Sequence, residues 1–535
     1  MESPHSLSTR LADALPRDVA ITAQHLSTPP TKTSPIFSAA PGQPEETTFC
    51  ESHFLTLATP KTESRGEILI FAIEILIFTT PALTTVFVSK ADSTGYSSLL
   101  QVPKDYPSIT RSTVEAFIRF LLDPRLTESR VTLSLFARSQ DQYLFPGSIE
   151  NVEKHVLDDR QLIKWWCRVL DAVWRPYDAG TADQQISAHV LVPGTEGAET
   201  RSFFPPSIHQ DGRDAPRWSH YYPVKLLTVD DSLPPRCLIP RLPDDPKARF
   251  LNDLDGDYIG EDGHWRNVRS LDQFWEFMSY RQECSAGRLV GFIWVTFVRP
   301  QLLLAKADDA AKSISTTLAS QISDGSVLPT PEDSQRRSMV DLPPAIADEL
   351  ATPERPKSPP PSSPPSAEAA TKDESQAGQS QTVVGTTEEV VNAVDGRETE
   401  PCRPVDVRWP ASTRGQVVTD LDTYDELLES LLRLDFAGQQ LAAESTDKWV
   451  ALVKKQTETQ DFGASILGKA TPAKSLGTAT ANGSISAPQV TTLTGVRKKR
   501  KVEDAAPAVS VVGDLTSPSA TVLSAGLVRK KPKTG

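Results

Sequence analysis

Three segments of this 535-residue chain join chemically versatile side chains to backbone of turn or loop character. The first is residues 88–96, V-S-K-A-D-S-T-G-Y, where an apolar strand ends in small residues rich in amide and hydroxyl donors. A turn of this kind can hold a cofactor, and it can equally be an ordinary hairpin. The turn chemistry alone does not separate the two interpretations.

The other two segments carry charge beside apolar residues. Residues 234–250 place Asp244 next to Asp245 after a Pro-punctuated apolar run. Repulsion between adjacent carboxylates can raise the pKa of one of them into the working range of a general base. In a turn, however, adjacent carboxylates are commonly just solvated. The third segment sets Arg201 and Phe203 shortly before Trp218. Arginine and aromatic rings suit a cofactor with phosphates and an acyl arm, although such residues often belong to the core.

Common catalytic signatures are missing from the sequence. It has no Gly-rich phosphate loop, no H-E-x-x-H and no G-x-S-x-G, and the acidic run at 253–257 lacks the sixth-position glycine of a calcium loop. The acetyltransferase signature R/Q-x-x-G-x-G/A is also absent, because Ile293 stands where a small residue is required. Cys284 has no base paired with it in sequence, which favours a structural role. The residue pattern alone therefore identifies no complete active site.

Charge and cysteine content restrict the class of protein. The net charge of -13 argues against simple phosphate-backbone binding and suits a basic partner, although acidic proteins are often merely soluble. Five cysteines are scattered without a C-x-x-C pair. This distribution predicts a reducing compartment and disfavours structural zinc.

The distribution of aromatic residues predicts one domain that is split in sequence. All nine Trp lie between Trp165 and Trp449, and no aromatic residue occurs between Phe297 and Trp409 or after Phe462. Segments without aromatics cannot bury enough apolar surface to fold. We therefore expect a flexible N-terminus (1–20), a first domain part (21–304), a disordered Pro/Ser-rich insertion (305–404), a helical return segment (405–460) and a disordered basic tail (461–535).

Periodicity within the ordered parts predicts a mixed α/β fold with a central sheet. Residues 67–88 are apolar enough to suggest a membrane span, but Glu74, Pro81 and the β-branched content favour two buried strands joined by a turn. Further strands are expected at 131–135, 187–193 and 289–298. Helices are expected from a capping box at 112–115 to Pro124, after Asp159, from Ser270 to near Gly287, at 422–436 and around Trp449.

A run of five cations lies in the tail, at Arg497, Lys498, Lys499, Arg500 and Lys501. Such a run in a flexible segment is typical of a nuclear import signal or a nucleic-acid contact, and a solvated charge run is the alternative.

Several segments resemble the fungal histone H3 lysine acetyltransferases of the regulator of Ty transposition type. The resemblance covers about residues 20–300 and resumes at 414 to about 453, in agreement with the split domain. The segments that carry it are H-L-S-T-P-P-T-K-T from His25, C-E-S-H-F-L from Cys50, V-S-K-A-D-S-T-G-Y from Val88, Y-L-F-P-G-S from Tyr143, V-L-D-D-R-Q-L-I-K-W-W-C-R-V-L from Val156, P-R-C-L-I-P-R-L-P-D-D-P-K-A-R-F-L from Pro235 and L-D-Q-F-W-E-F-M-S-Y-R-Q-E-C-S-A-G-R-L-V-G-F-I-W-V from Leu271.

The resemblance implies a single acetyltransferase domain similar in fold to the CREB-binding-protein type, with acetyl-CoA as co-substrate and no metal. It implies a catalytic carboxylate at Asp245 aided by Asp244, and a self-acetylated lysine at Lys247. The cofactor residues that it implies are Ala91, Asp92, Ser93, Arg201, Phe203 and Trp218.

The resemblance also implies a substrate and a setting. The substrate is histone H3, at the lysine of the nucleosome entry/exit helix and at tail lysines, presented as H3-H4 by chaperones of the anti-silencing and nucleosome-assembly types. The setting is the nucleus, in replication-coupled nucleosome assembly and genome stability, with no membrane and no sequence-specific nucleic acid. The alternative is a histone-binding or chaperone-binding protein without catalysis, which is disfavoured because Asp92 and Asp245 are both present.

Overall fold

A large mixed sheet organises the chain. The computed structural model describes residues 6–301, apart from 104, 179–182, 213–215, 282–283 and 285–286, and residues 407–471. All of them belong to one compact unit, Met1–Ala473. The predicted insertion (305–404) and the basic run at 497–501 lie outside the described residues.

Eleven strands of the described residues form this sheet, in the order β10-β1-β3-β4-β5-β6-β9-β7-β8, with β11 on β1 and β2 on β3. Most neighbours are antiparallel, while the pairs β5–β6, β7–β8 and β1–β10 are parallel. The strands are β1 (Ala20–Ser27), β2 (Thr31–Thr33), β3 (Thr48–Ala58), β4 (Leu69–Thr79), β5 (Thr84–Ser93), β6 (Arg130–Ala137), β7 (Gln185–Leu191), β8 (Trp218–Ser219), β9 (Gly291–Val298), β10 (Val417–Val418) and β11 (Ala464–Leu467).

The described residues also include ten α-helices, of which three have only four residues. They are α1 (Leu7–Ala14), α2 (Ile109–Leu122), α3 (Asp159–Asp178), α4 (Gly197–Thr200), α5 (Val224–Leu227), α6 (Pro235–Leu238), α7 (Pro246–Asp257), α8 (Leu271–Met278), α9 (Leu421–Leu431) and α10 (Gln439–Gln456). Short 3₁₀ turns connect several of them, among them Arg201–Phe203 directly after α4.

The apolar stretch at 67–88 forms the neighbouring strands β4 and β5, as predicted. Their register shifts between Glu74 and Ile75, because Glu74 pairs with Lys90 and Ile75 with Val88. Ser89 is thus the extra residue of a β-bulge, a device that re-aims the side chains beyond it. No helix of the described residues is long and apolar enough to cross a membrane.

Helices cover both faces of the sheet. Successive side chains of a strand point to opposite faces. In β3, His53 stacks on His25, which contacts Phe117 of α2, whereas its neighbour Phe54 contacts Trp449 of α10. The helices α2 and α10 therefore lie on opposite faces. The predicted mixed α/β class with a central sheet is confirmed.

The return segment after residue 407 docks on the first block, as predicted. Trp449 of α10 is almost fully buried, and its indole N–H donates to the carbonyl of Leu427 in α9. The backbone N–H of Leu69 donates to Thr446, 2.9 Å away, across a long sequence separation. Two short strands of this segment, β10 and β11, also pair with β1.

Several predicted boundaries differ from the structure. Helix α2 begins after Ser108, whose hydroxyl accepts the N–H of Arg111, so the predicted capping box at 112–115 is wrong and Ser112 is buried inside the helix. Helix α8 has the predicted cap, Ser270, but ends at Met278 rather than near Gly287. Helix α9 ends at Leu431, short of the predicted 436.

The two predicted flexible ends also contain ordered elements. Helix α1 lies within residues 1–20, where Leu11 and Leu15 are fully buried. Strand β11 lies beyond residue 461 and pairs with β1 from Ala20 to Ala23. Neither element carries an aromatic residue, so the criterion that located the other ordered segments did not detect them.

A buried histidine pair makes the stability of this fold dependent on pH. His25 and His53 lie in the core with their ring nitrogens 3.2 Å apart. Burial and the neighbouring His53 lower the pKa of His25 well below its usual value, and burial lowers that of His53 to about 3. The native state therefore holds both rings neutral, whereas the unfolded chain takes up protons below about pH 6.5.

We expect the free energy of unfolding to fall by about 2 kcal/mol for this pair between pH 7 and pH 5.5, because only the unfolded state gains protons in that window. Urea unfolding at the two pH values measures the change. A His25→Phe/His53→Leu variant that folds should lose most of this dependence, while the exposed control His209→Gln should keep it. An unchanged pH dependence in the double variant would contradict the assignment.

Candidate active site

A cavity of about 400 Å³ opens where the parallel strands β5 and β6 end. Ligand crevices in mixed α/β sheets commonly lie beyond the carboxyl ends of parallel strands. The end of β5 supplies one wall, the chain after β6 supplies another, and α3 closes the third side. The predicted cofactor residues Ala91, Asp92 and Ser93 all line this cavity.

Asp92 fastens two of these walls together. One carboxylate oxygen, Oδ2, accepts the backbone N–H groups of Tyr143, Leu144 and Phe145 at 2.8, 2.9 and 3.3 Å. The other oxygen accepts the N–H of Ser93 at 2.7 Å. A carboxylate that binds four amides is fully used within the protein. Asp92 thus acts on the cavity by holding its loop in place.

Lys154 completes this anchor. Its ammonium lies 3.0 Å from Asp92 Oδ1 and 2.7 Å from the hydroxyl of Ser148. The backbone of Lys154 passes so close to residue 95 that only a glycine fits there. Its φ is +88°, and an added Cβ would lie 2.6 Å from the backbone nitrogen of Lys154. The glycine of the V-S-K-A-D-S-T-G-Y segment therefore permits the close approach that carries Lys154 to Asp92.

The cavity has an apolar wall and polar groups suited to an acyl thioester with a phosphate-bearing arm. Phe136, Trp165 and Trp166 contribute aromatic surface. Arg138 contributes a guanidinium and His155 an imidazole. The Nε of Arg138 has no hydrogen-bond partner among the described residues. An acyl arm fits the aromatic side, and the arginine can meet a phosphate.

Sequence reasoning missed most of these lining residues. Phe136 and Arg138 follow the predicted strand at 131–135, and Trp166 lies in the helix predicted after Asp159, where an aromatic residue reads equally well as core. The adjacent pair Trp165–Trp166 was the available signal. Two large neighbours on one helix cannot both face the same core, since they point about 100° apart.

Asp244 and Asp245 face different environments although they are adjacent. Asp244 has φ of +57°, a conformation that costs a non-glycine residue free energy, and its side chain is 52% exposed. It accepts the hydroxyl of Tyr143 at 3.3 Å. Asp245 is the N-cap of α7, accepts the backbone N–H of Lys247 at 2.8 Å and is buried. The left-handed turn separates the two carboxylates.

Lys247 is buried against Asp245. Its ammonium pairs with Asp245 Oδ2 and lies 4.6 Å from the ring centroid of Phe292. Burial lowers the pKa of Lys247, and the Asp245 carboxylate opposes this shift without cancelling it. Lysine amines become nucleophilic when their pKa falls. The self-acetylation of Lys247 stays a prediction, and the side chain has to become accessible before it can react.

A chain of polar contacts links Asp244 to the return segment. The Lys90 ammonium lies 3.3 Å from Asp244 Oδ2 and 2.6 Å from Glu74 Oε2. The other oxygen of Glu74 accepts the hydroxyl of Tyr424 in α9 at 3.2 Å. Burial lowers the pKa of Lys90, but Glu74 and Asp244 outweigh that effect and raise it overall. Lys90 therefore stays charged between two carboxylates.

Tyr143 brings this chain to the cavity. Lys90 and Tyr143 both line the cavity and both contact Asp244. Burial and the Asp244 carboxylate raise the pKa of Tyr143 to about 12, so its hydroxyl stays protonated and acts as a donor. A carboxylate flanked by a cation and a phenol therefore lies beside the cavity.

The remaining predicted cofactor residues lie elsewhere. Arg201 and Trp218 line a second cavity of about 730 Å³, which also contains Lys164 and Arg168 of α3. Phe203 is fully buried, and the Lys164 ammonium lies 5.9 Å from its ring centroid. The structure does not bring these three residues together with Ala91, Asp92 and Ser93.

Comparison with known proteins identifies the family. Residues 7–127 and 124–452 match the histone acetyltransferase KAT11-type domain. The chain is also 36% identical to the histone acetyltransferase rtt109 of Aspergillus flavus, over 98% of this chain and 99% of the relative. The chain belongs to the KAT11-type histone acetyltransferase family.

Other members agree with this assignment. The rtt109 histone acetyltransferase of Schizosaccharomyces pombe is 31% identical over 45% of this chain and 60% of the relative. The crystal structure of Rtt109 from Aspergillus fumigatus superposes with a TM-score of 0.62 at 35% identity, covering 87% of this chain and 99% of that one. This KAT11-type enzyme is a histone acetyltransferase, and acetyl-CoA is the co-substrate that its family uses.

Replacing Asp92 tests the anchor of the cavity. In Asp92→Ala, we expect the amides of Tyr143, Leu144 and Phe145 to exchange with solvent at least about tenfold faster, because each loses its acceptor. Hydrogen-exchange mass spectrometry of that loop measures the effect. Asp141→Ala removes an exposed carboxylate from the same loop and is the matched control. Equal protection in both variants would show that the loop is held by other contacts.

Proposed function

We propose that this histone acetyltransferase transfers the acetyl group of acetyl-CoA to lysines of histone H3 at the mouth of the first cavity. The placement of Asp244 carries the proposal. Tyr143 and Lys90 line the cavity, and both contact this partly exposed carboxylate. We further propose, from the family resemblance, that the preferred lysines are those of the entry/exit helix and the tail. Presentation of H3-H4 by chaperones of the anti-silencing and nucleosome-assembly types belongs to the same proposal.

The reaction needs a neutral substrate amine. A lysine amine with a pKa near 10.4 is neutral in only about one molecule in a thousand near pH 7.4, a handicap of roughly 4 kcal/mol. The amine nitrogen attacks the thioester carbonyl carbon, the carbon–sulfur bond breaks, and the ammonium proton leaves to a base. A carboxylate next to the cavity can hold the ammonium and receive that proton.

The two aspartates divide this work by position. Asp244 is the exposed carboxylate beside the cavity residues Lys90 and Tyr143, and we assign it the contact with the incoming ammonium in place of Asp245, for which the resemblance implied the main catalytic role. Asp245 supports the turn by capping α7 and holding Lys247. Its removal leaves Lys247 buried without a counter-ion, which is costly. Both aspartates are therefore expected to matter, for different physical reasons.

The cofactor is assigned to the first cavity. Ala91 and Ser93 lie on its wall, Asp92 holds the facing loop, and Arg138 is placed for a phosphate. Bound acetyl-CoA supplies the activated acetyl group. The assignment of Arg201, Phe203 and Trp218 to the cofactor stays a prediction. So does nuclear import by the basic run at 497–501, which fits an enzyme that acts on chromatin.

The experiment that tests the proposal measures acetylation of H3-H4 with labelled acetyl-CoA, with and without an anti-silencing-type chaperone. Mass spectrometry then locates the modified lysines. We expect Asp244→Asn and Asp245→Asn each to lower kcat/KM at least about tenfold, or about 1.4 kcal/mol of transition-state stabilisation. Asp257→Asn, an exposed carboxylate at the end of α7, is the control and should retain activity.

The possible outcomes separate the proposal from its rivals. Label on H4 in place of H3 would overturn the substrate assignment. No label with wild-type protein, despite measurable H3-H4 binding, would favour a histone-binding protein without catalysis. Full activity in Asp244→Asn would contradict the assignment of the ammonium contact to Asp244.

Lys90 provides a second test, in which stability and activity are separated. Lys90→Met leaves Glu74 buried without its cation, which should cost about 3 kcal/mol of stability. In Glu74→Gln/Lys90→Met the buried charge is gone, so stability should return while kcat/KM stays at least about tenfold low, because Asp244 still lacks its partner. Urea unfolding and initial rates measure the two effects. Lys61→Met, at an exposed site, is the control, and recovery of full activity in the double variant would assign Lys90 a structural role only.

A further inference from the structure

A second concave surface lies apart from the active site. This cavity of about 730 Å³ contains Lys164 and Arg168 of α3, whereas the first cavity contains Leu162, Trp165 and Trp166 of the same helix. The two cavities therefore use different flanks of α3. Nothing in the catalytic arrangement of Asp244, Tyr143 and Lys90 involves the second one.

The rim of this second cavity carries cations whose charges are not balanced locally. Lys164 and Arg168 are one helical turn apart on α3, and Arg201 belongs to the 3₁₀ turn Arg201–Phe203. Among the described residues, no carboxylate lies within salt-bridge distance of any of these three. Arg201 and Arg168 are exposed, and Lys164 is partly buried.

The neighbouring carboxylates are already paired with other cations. Asp171 and Asp211 both bind Arg175, at 2.8 and 2.9 Å. Asp178 binds Arg217 at 2.7 Å, and Glu199 binds Arg160. These pairs lie on α3 and on the segments that surround the cavity, so the local acids cannot neutralise its rim. The concavity is therefore positive, although the chain as a whole has a net charge of -13.

Beneath the cations the surface is apolar and firmly held. Trp218 is almost fully buried, and its indole N–H donates to Asp171 at 2.8 Å. Phe204 packs beside it, with ring centroids 6.0 Å apart, and Pro205 is buried. Tyr221 remains 56% exposed at the edge. An apolar floor below a cationic rim matches a ligand that has both apolar side chains and carboxylates.

We propose that this second cavity is the docking site for an acidic peptide segment of a partner protein. The histone substrate is excluded as occupant, because a polycation is repelled by three uncompensated cations. Carboxylates of the segment meet Lys164, Arg168 and Arg201, and an apolar or aromatic side chain lies against Phe204 and Tyr221. This mode needs no acetyl-CoA, and it would replace the cofactor role predicted for Arg201 and Trp218.

Binding of a defined probe to the full chain tests the proposal. The probe is a fluorescein-labelled peptide of about ten residues in which Glu alternates with Leu and Tyr, and its match has Gln in place of Glu. We expect anisotropy to show binding of the Glu peptide, weakening at least about tenfold between 0.05 and 0.5 M salt, and little binding of the Gln peptide. Saturating acetyl-CoA should leave the affinity unchanged.

Charge reversal locates the site. Lys164→Glu/Arg168→Glu should weaken probe binding at least about tenfold, because two rim cations become repulsive. Lys448→Glu/Lys455→Glu makes the same charge change on exposed positions of α10 and should bind as wild type does. Circular dichroism of both variants checks that each is folded.

Four results would overturn the proposal. They are no binding of the Glu peptide, equal loss in the two charge-reversal variants, competition by acetyl-CoA, and binding of a single-stranded oligonucleotide in place of the peptide with the same dependence on Lys164 and Arg168. Competition by acetyl-CoA would instead assign the cavity to the cofactor. The oligonucleotide result would assign it to nucleic acid.

Discussion

A single buried carboxylate constrains the architecture around the site. Glu74 lies in the middle of β4, the most apolar strand of the sheet, and its side chain is only 4% exposed. An uncompensated charge at such a position would be prohibitively costly, so the fold has to supply a cation and a donor. Lys90 supplies the cation from β5, and Tyr424 supplies the donor from α9. The bulge at Ser89 sets the register that makes Lys90 the partner of Glu74.

This compensation also places the chemistry. Because the Lys90 ammonium bridges Glu74 and Asp244, the turn at Asp244 is fixed relative to the end of β5, where the cavity begins. Tyr424 belongs to the segment after residue 407. This segment therefore completes the environment of Glu74, which is linked to Asp244 through Lys90. The two parts of the split domain thus contact each other next to the site, through Tyr424 and Glu74. The return segment contributes to the position of the carboxylate as well as to the core.

Much of the fold was predictable, and the reasons for the failures are specific. Strands β4, β5, β6, β7 and β9 have strong apolar patterns, and α3 and the cap at Ser270 follow local rules that tertiary contacts do not override. The false cap at Ser112 fitted the same local rule, but Ser112 lies on a buried face of a helix that had already begun. Strands β10 and β11 have only two and four residues and form only because β1 offers an open edge to each of them.

The site was less predictable than the fold. The residue pattern singled out the segments of Asp92, Asp244 and Asp245, and the family resemblance implied their roles. The difference between Asp244 and Asp245 follows from burial and from the sign of φ at Asp244, which sequence does not reveal. Phe136 and Trp166 line the cavity, yet in sequence a lining aromatic and a core aromatic look alike. Arg201 and Trp218 are near Phe203 in the chain and match a cofactor pattern. The interposed helix α3 separates them from Asp92, and only the three-dimensional arrangement contains that information.

Helix α3 explains how one domain presents two separate concave surfaces. Its buried stripe, Ile163, Cys167, Leu170 and Trp174, follows the i, i+4, i+7, i+11 spacing of a helix packed on a sheet. The flank with Trp165 faces the cavity whose residues Lys90 and Tyr143 contact Asp244, and the flank with Lys164 and Arg168 faces the cationic concavity. A basic substrate is attracted by a chain of net charge -13 and repelled locally by that concavity. In the proposed arrangement, this electrostatic difference directs a histone toward the carboxylate side of the helix and leaves the other side to an acidic partner.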